Sequence, residues 1–141
     1  MPTNKLTGSC LCGAVRYELG SGLRKVVYCH CAQCRKTSGH FVAATAVDLD
    51  QLTFVDDSGL AWYQSSDSAD RGFCRNCGSS LFWRPTHGRY MAVMAGPLDA
   101  PTGLTSREHI YVGDASDYYE ICDGLPQYAQ AHEDLWEAND T

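Results

Sequence analysis

The segment C-H-C-A-Q-C, residues 29–34, places three cysteines within six positions of the chain. In an extended segment residues i and i+2 project from the same face, so Cys29 and Cys31 direct their sulfurs to one point. Cys34 completes a C-x-x-C spacing, which does the same when the chain makes a tight turn. Because Zn²⁺ binds sulfur at about 2.3 Å in a tetrahedron, such spacings suit a zinc site.

Two further cysteine pairs flank this segment, C-L-C-G at residues 10–13 and C-R-N-C-G at residues 74–78. In both pairs a glycine follows the second cysteine. A glycine there can adopt positive φ and let backbone N–H groups turn towards the sulfurs, as in a closed zinc knuckle. The two pairs therefore predict a structural zinc site with four ligands: Cys10, Cys12, Cys74 and Cys77.

The middle group lacks such a glycine, since Arg35 and Lys36 follow its last cysteine. Three protein ligands and one open position are typical of catalytic zinc. The sequence thus predicts a second, catalytic Zn²⁺ site, unless Cys122 or a histidine closes it. Cys122 has no partner cysteine nearby and is predicted to be a small buried apolar residue. The open set consists of Cys29, Cys31 and Cys34.

Other interpretations of the eight cysteines fit less well. Residues two apart make awkward disulfide partners. A thioredoxin-type redox motif needs a βαβ context that this sequence does not show. Of the histidines, His30 is expected to point away from the metal, and His109 to lie in the core or beside the ligands. The other three are predicted to be surface or structural residues: His40, His87 and His132.

Composition predicts one soluble globular domain over residues 1–141, with 44% apolar and 20% charged residues. The N-terminus has no hydrophobic stretch, and no run approaches the roughly 20 apolar residues of a membrane helix. We therefore expect a cytoplasmic protein without membrane contacts. The net charge of −6 argues against nucleic acid as a partner, because duplex binding relies on Lys and Arg at phosphates.

Charge is unevenly distributed along the chain. Residues 1–96 contain 10 of the 11 Lys and Arg and 7 of the 17 Asp and Glu, a balance of +3. Residues 97–141 have a balance of −9. The acidic end, residues 129–141, is interpreted as a solvated tail. The cysteine-rich part of the chain is therefore also its positive part.

Short runs of β-formers separated by Gly, Asp and Ser predict a mainly β architecture. One tight helical turn is expected at C-A-Q-C-R-K-T-S, before Gly39, and a short helix around residues 128–138. The predicted strands are A-V-R-Y-E-L (14–19), K-V-V-Y-C (25–29), F-V-A-A-T-A-V (41–47), L-T-F-V (52–55), L-A-W-Y-Q (60–64), S-L-F-W (80–83), Y-M-A-V-M (90–94) and H-I-Y-V (109–112).

The combined pattern G-S-C-L-C-G-A-V-R-Y, C-H-C-A-Q-C-R-K-T-S-G and F-C-R-N-C-G-S-S-L-F resembles the glutathione-dependent formaldehyde-activating enzymes, a family that includes centromere protein V. The resemblance extends through D-G-L-P-Q-Y and covers roughly residues 8–128. It implies a small β-tent of folded antiparallel sheets with zinc knuckles. It also implies the same division of the cysteines into a structural and a reactive set.

The resemblance further implies a carbon–sulfur lyase that joins glutathione to formaldehyde. A zinc-bound thiolate would be the nucleophile, since zinc deprotonates a coordinating thiol. Donors near the motif would orient the aldehyde, with Ser38, Thr37 and Arg35 nearest in sequence. The carboxylates of glutathione need a basic patch, for which the candidates are Arg35, Lys36, Arg71 and Arg75.

Two other classes of function remain open at this point. A non-catalytic zinc module that binds a partner protein is the main alternative. It would need one closed zinc site for stability and would have no use for a second, open one. A zinc store or redox sensor would instead have labile cysteines and no substrate cavity.

Overall fold

Two β-sheets form the protein in the computed structural model, which describes residues 5–131. A three-stranded sheet has the order β1-β2-β5, and a seven-stranded sheet has the order β10-β3-β4-β9-β8-β7-β6. The strands are β1 Leu6–Ser9, β2 Arg16–Leu19, β3 Val26–Cys29, β4 Val42–Asp48, β5 Leu52–Asp56, β6 Leu60–Ser66, β7 Ala69–Cys74, β8 Ser80–Pro85, β9 Tyr90–Met94 and β10 Ser106–Ile110.

The prediction of a mainly β single domain is confirmed, and all but one of the strand pairs in the described part of the chain are antiparallel. The exception is β10, which pairs in parallel with β3. β10 also ends earlier than the predicted run H-I-Y-V, because Tyr111 adopts left-handed backbone angles (φ 55°). Strands β1 and β7 were not predicted, since L-T-G-S and A-D-R-G-F-C contain few β-branched residues.

The α-helix α1, Ala32–Ser38, follows β3 directly. The thiol of Cys31 caps its first turn by accepting a hydrogen bond from the backbone N–H of Cys34. Gly39 ends the helix in the left-handed conformation, as expected for a glycine at this position. The predicted turn before Gly39 is therefore confirmed, and it is nearly two turns long. Within residues 5–131 there are also two 3₁₀ helices, Leu49–Gln51 and Val112–Asp114.

The helix predicted around residues 128–138 falls mostly outside the described residues. Its first part, residues 128–131, is not helical. Among the described helices, none is long and apolar enough to cross a membrane.

Aromatic packing between the two sheets forms the main core. Tyr17 of β2 meets Phe82 of β8 edge to face, with 5.0 Å between ring centroids, and Phe54 contacts both rings. Opposite Tyr17, in β1, stands Gly8, where a Cβ atom would lie 2.6 Å from the tyrosine ring. A glycine is therefore required at this pair, and the tyrosine ring fills the space a side chain would occupy.

We predict that Phe82→Ala lowers the free energy of unfolding by about 3–5 kcal/mol, because it leaves a cavity among three packed aromatic rings. Urea denaturation followed by circular dichroism measures the change. Tyr63→Ala is the control, since Tyr63 is 65% exposed and its truncation should change stability by less than about 0.5 kcal/mol. Equal effects of the two variants would contradict this description of the core.

Candidate metal centres and the adjoining cavity

Four cysteines from two hairpin loops converge at one point. The loop between β1 and β2 contributes one pair, and the end of β7 with the turn to β8 contributes the other. The sulfurs all lie within 4.8 Å of one another. Two of the separations, Cys10–Cys12 and Cys12–Cys74, are 3.7 Å. A tetrahedron with zinc–sulfur bonds of about 2.3 Å has edges of about 3.8 Å, so the arrangement fits Zn²⁺.

Backbone and hydroxyl groups around this four-cysteine cluster favour thiolates. The backbone N–H of Val15 donates to the sulfur of Cys10 at 3.2 Å. Hydrogen bonding by Ser79, first through its hydroxyl and then its backbone, lowers the pKa of Cys77 to about 5. Gly13 and Gly78 both have positive φ (86° and 82°), as the sequence predicted. The hydrogen bonds to Cys10 and Cys77 favour the thiolate, which is the form that a metal ion requires.

A second cluster is formed by the sulfurs of Cys29, Cys31 and Cys34, which also lie within 4.8 Å of one another. All three come from one short segment: the end of β3, the cap of α1 and the buried face of its first turn. Contact with the other two thiols holds the pKa of Cys31 far below its usual range, and the same contact raises the pKa of Cys29. Such crowding makes one thiolate easy to form and favours a cation among the sulfurs.

This three-cysteine cluster opens into a cavity of about 440 Å³. The guanidinium of Arg71, from β7, lies against the cluster, with Nη2 3.7 Å from the sulfur of Cys34. Arg71 is only 7% exposed, and Gln33 of α1 accepts from its Nε and Nη2. Tyr111 also lines the cavity, directly after β10. Burial and then the negative charges of the cysteines raise the pKa of Tyr111.

Of the residues predicted for substrate binding, only some line the cavity. Arg35, Lys36 and Ser38 lie on α1 but do not line the cavity. The hydroxyl of Ser38 donates to the carbonyl oxygen of Cys34 at 2.7 Å, so it stabilises the last turn of α1. Arg71, from the same set of candidates, does reach the cavity. Arg75 is exposed and donates to the carbonyl oxygen of Leu60.

Cys122 lies outside both clusters and is exposed, which corrects the expectation that it is buried. Its sulfur is 4.0 Å from a carboxylate oxygen of Glu120. The expectation rested on the apolar character of an isolated thiol, and sequence alone did not show that this loop lies on the surface. Both His40 and His87 are exposed as predicted, whereas His132 lies outside the described residues.

A hydrogen-bonded network centred on the buried His30 and His109 adjoins the three-cysteine segment, and sequence reasoning identified only part of it. The hydroxyl of Tyr119 is hydrogen-bonded to Nδ1 of His30. Nε2 of His30 is hydrogen-bonded to Nδ1 of His109 at 2.8 Å, and Nε2 of His109 to a carboxylate oxygen of Asp123 at 2.7 Å. Burial lowers the pKa of His30 to about 4. This hydrogen-bonded network ties the segment that carries the three cysteines to the loop at residues 119–123.

The site thus defines a protein with two thiolate-rich centres suited to metal ions, one closed and one opening into a cavity. Residues 5–114 match the family described as glutathione-dependent formaldehyde-activating enzyme. The chain belongs to this family.

Individual relatives agree with this assignment. A lyase of Schizosaccharomyces pombe, described as uncharacterized, is 28% identical over 116 residues, which cover 81% of this chain and 83% of the relative. A Halomonas elongata protein, named as belonging to the same enzyme family, is 28% identical over 82% of this chain and 80% of its own length. A crystal structure of a Rhodobacter sphaeroides protein superposes with a TM-score of 0.54 at 28% identity, covering 69% of this chain and 91% of that one.

We predict that Cys77→Ser destabilises the zinc-loaded protein more than Cys31→Ser does. The four-cysteine cluster links positions 62 residues apart, whereas the three-cysteine cluster spans one short segment. If a bound metal acts like a cross-link that closes a loop, the free energy of unfolding should fall by about 4 kcal/mol in Cys77→Ser and by about 2 kcal/mol in Cys31→Ser. Urea denaturation, with metal content measured in parallel, tests this. Cys122→Ser is the control, and a larger loss for Cys31→Ser would show that the two roles are reversed.

Proposed function

We propose that the chain is a zinc-dependent carbon–sulfur lyase that joins a small thiol to an aldehyde, with glutathione and formaldehyde as the leading candidates. The observation that carries this proposal is the three-cysteine cluster that opens into a cavity with Arg71 beside it. A closed cluster alone would serve stability and would need no cavity. The family description and the name of the Halomonas elongata relative support the same substrates.

Two zinc ions are proposed, one for each cluster. A zinc ion held by three thiolates supplies one further position, where a substrate thiol can bind and lose its proton. The remaining cysteines would hold a structural zinc. In this scheme the catalytic set is Cys29, Cys31 and Cys34, and the structural set is Cys10, Cys12, Cys74 and Cys77.

In the reaction, a bond forms between the thiol sulfur and the carbonyl carbon, and the proton lost by the thiol ends on the carbonyl oxygen. The lyase direction breaks the same bond and returns the proton. The carbonyl oxygen gains negative charge as the bond forms, so donors aimed at it stabilise the transition state. Donors that line the cavity are better placed for this than donors on the outer face of α1.

Arg71 is the first such donor. Its guanidinium is buried beside the sulfurs, and its position is fixed by Gln33. A charged donor in a site that excludes water interacts more strongly with a developing negative charge than one in solvent. Arg71 can therefore orient the aldehyde oxygen and also offset the negative charge of the thiolates.

Tyr111 is the second donor. Its raised pKa keeps the hydroxyl protonated at neutral pH, so that it can donate to the oxygen and supply the proton. Its left-handed backbone (φ 55°) is unfavourable for a bulky side chain. Such conformations cost about 1–3 kcal/mol and cluster at functional sites, which supports a role in positioning this hydroxyl.

Arg35, Lys36 and Ser38 remain proposals for the part of glutathione that stays outside the cavity. Glutathione has two carboxylates, and α1 presents two cations in its last turn, directly beyond the cluster. Carboxylates pair well with arginine when the geometry allows two hydrogen bonds. In this scheme the thiol end enters the cavity and the two carboxylates remain near the surface of α1.

We predict that the zinc-loaded protein accelerates the exchange between formaldehyde hydrate and S-hydroxymethylglutathione, measured with ¹³C-formaldehyde by NMR exchange spectroscopy. Arg71→Gln should lower kcat/KM by about 10²-fold or more, because it removes a charged donor from the developing oxyanion. Tyr111→Phe should lower it to a similar extent through loss of the proton donor. Arg35→Ala should mainly raise KM for glutathione.

Arg75→Gln is the matched control for Arg71, since Arg75 follows the same strand but is exposed and does not line the cavity. It should leave the exchange rate unchanged. If the protein binds metal at both clusters yet does not accelerate exchange with glutathione or any other small thiol, the lyase proposal fails. The interaction-module function would then be favoured.

A further inference from the structure

The cavity beside the three-cysteine cluster has an apolar floor built from one face of the large sheet. Side chains two apart along a strand share a face, so Val27 and Cys29 of β3 point the same way. Val27 pairs with Ala44 of β4, which pairs with Met94 of β9, and this gives one row of side chains across three strands. All of these residues line the cavity. The sulfur of Cys29 therefore emerges from the same surface as the apolar row.

Small residues on this face create the volume of the cavity. Ala44 and Ala92 occupy positions in the middle strands, while larger side chains, Val42, Met94 and Trp83, surround them. With the cysteine sulfurs these residues form an apolar cluster that is separate from the main core. The cavity is thus an apolar chamber with a reactive centre at its wall, and at about 440 Å³ it lies in the size range of small-molecule sites.

The polar groups of this chamber do not match a buried glutathione. Among the described residues that line it there is no Asp or Glu to pair with the ammonium group of the peptide. Arg71 is directed to Gln33 and the cysteine cluster. Arg24 donates to the backbone carbonyl oxygens of Ala44 and Lys25. The ammonium group of glutathione would therefore have no carboxylate partner in this chamber, and burying it here would carry a desolvation cost.

From this geometry we infer that the chamber receives the hydrocarbon substituent of an aldehyde, so that the enzyme acts on apolar aldehydes larger than formaldehyde. The inference rests on the proposed lyase function and specifies its second substrate. The carbonyl group lies at the cysteine cluster near Arg71, and the aliphatic or aromatic body extends over Ala44 and Ala92. The same bond forms as before, between thiol sulfur and carbonyl carbon, and the proton passes from sulfur to oxygen.

We expect kcat/KM to rise steeply with the length of the alkyl group of the aldehyde. Burying one CH₂ group contributes about 0.8 kcal/mol, which corresponds to an increase of about fourfold in kcat/KM for each methylene. In the series from propanal to hexanal, kcat/KM with glutathione should rise by this factor at each step. Ala44→Leu should lower the rate with hexanal at least about tenfold more than the rate with formaldehyde, because leucine fills the chamber.

Binding can be tested independently of turnover with protein labelled at the methionine methyl groups with ¹³C. Met94 lines the chamber, whereas Met91 is buried in the main core and serves as an internal reference. Titration with 1-hexanol, which cannot react, should shift the methyl signal of Met94 and leave that of Met91 in place. Ala44→Leu should abolish the shift. Ala43→Leu, on the same strand but outside the lining, should retain it.

If Ala44→Leu does not fold, Ala92→Val tests the same volume from the neighbouring strand. Turnover of formaldehyde with no gain from propanal to hexanal and no shift of the Met94 signal would overturn this inference and leave the lyase proposal intact. A shift of the Met94 signal without turnover of any aldehyde would overturn the lyase proposal and, with it, the assignment of the aldehyde to this chamber. The two failures are therefore distinguishable.

Discussion

The four-cysteine cluster is the point at which distant parts of the chain and both sheets meet. In the four-cysteine cluster, segments 62 residues apart bring their thiols to contact distance. Thiolates at this distance repel each other unless a cation lies between them, so the cluster favours a metal ion. The loops that carry it belong to strands of different sheets, β1 and β2 on one side and β7 and β8 on the other. A metal bound there would connect the two sheets.

The three-cysteine cluster presents the same kind of ligand atoms in a different setting. Its sulfurs come from one short segment, so a metal there links little of the chain, and the cluster opens into the cavity rather than into a second loop. Side chains from other parts of the fold surround the three-cysteine cluster. Arg71 approaches from β7, and the hydrogen bond between the buried His30 and His109 holds the cysteine segment against β10. The two clusters thus differ in form, since one is closed between two loops and the other opens into a cavity.

The sequence was sufficient for the features that are local. Cysteine spacing predicted both clusters, and glycines at 13, 39 and 78 predicted the turns that shape them. The features that sequence could not predict depend on strand register. The sequence placed Arg71 among four candidate cations but could not single it out, because it is 37 residues from Cys34 and meets it only through the position of β7 in the same sheet as β3. The apolar floor likewise arises from pairing across strands, since the apolar runs at 41–47 and 90–94 predict strands but do not show which of their residues share a face with Cys29.

The central claim is that the three-cysteine cluster holds a metal with one position open to a thiol. Cobalt substitution tests it directly, because charge-transfer bands between cobalt and thiolate grow when a further sulfur binds. The account predicts that glutathione intensifies these bands in the cobalt-loaded protein and that the response is lost in Cys31→Ser while the four-cysteine cluster keeps its spectrum. An unchanged spectrum with glutathione and with other small thiols would contradict it.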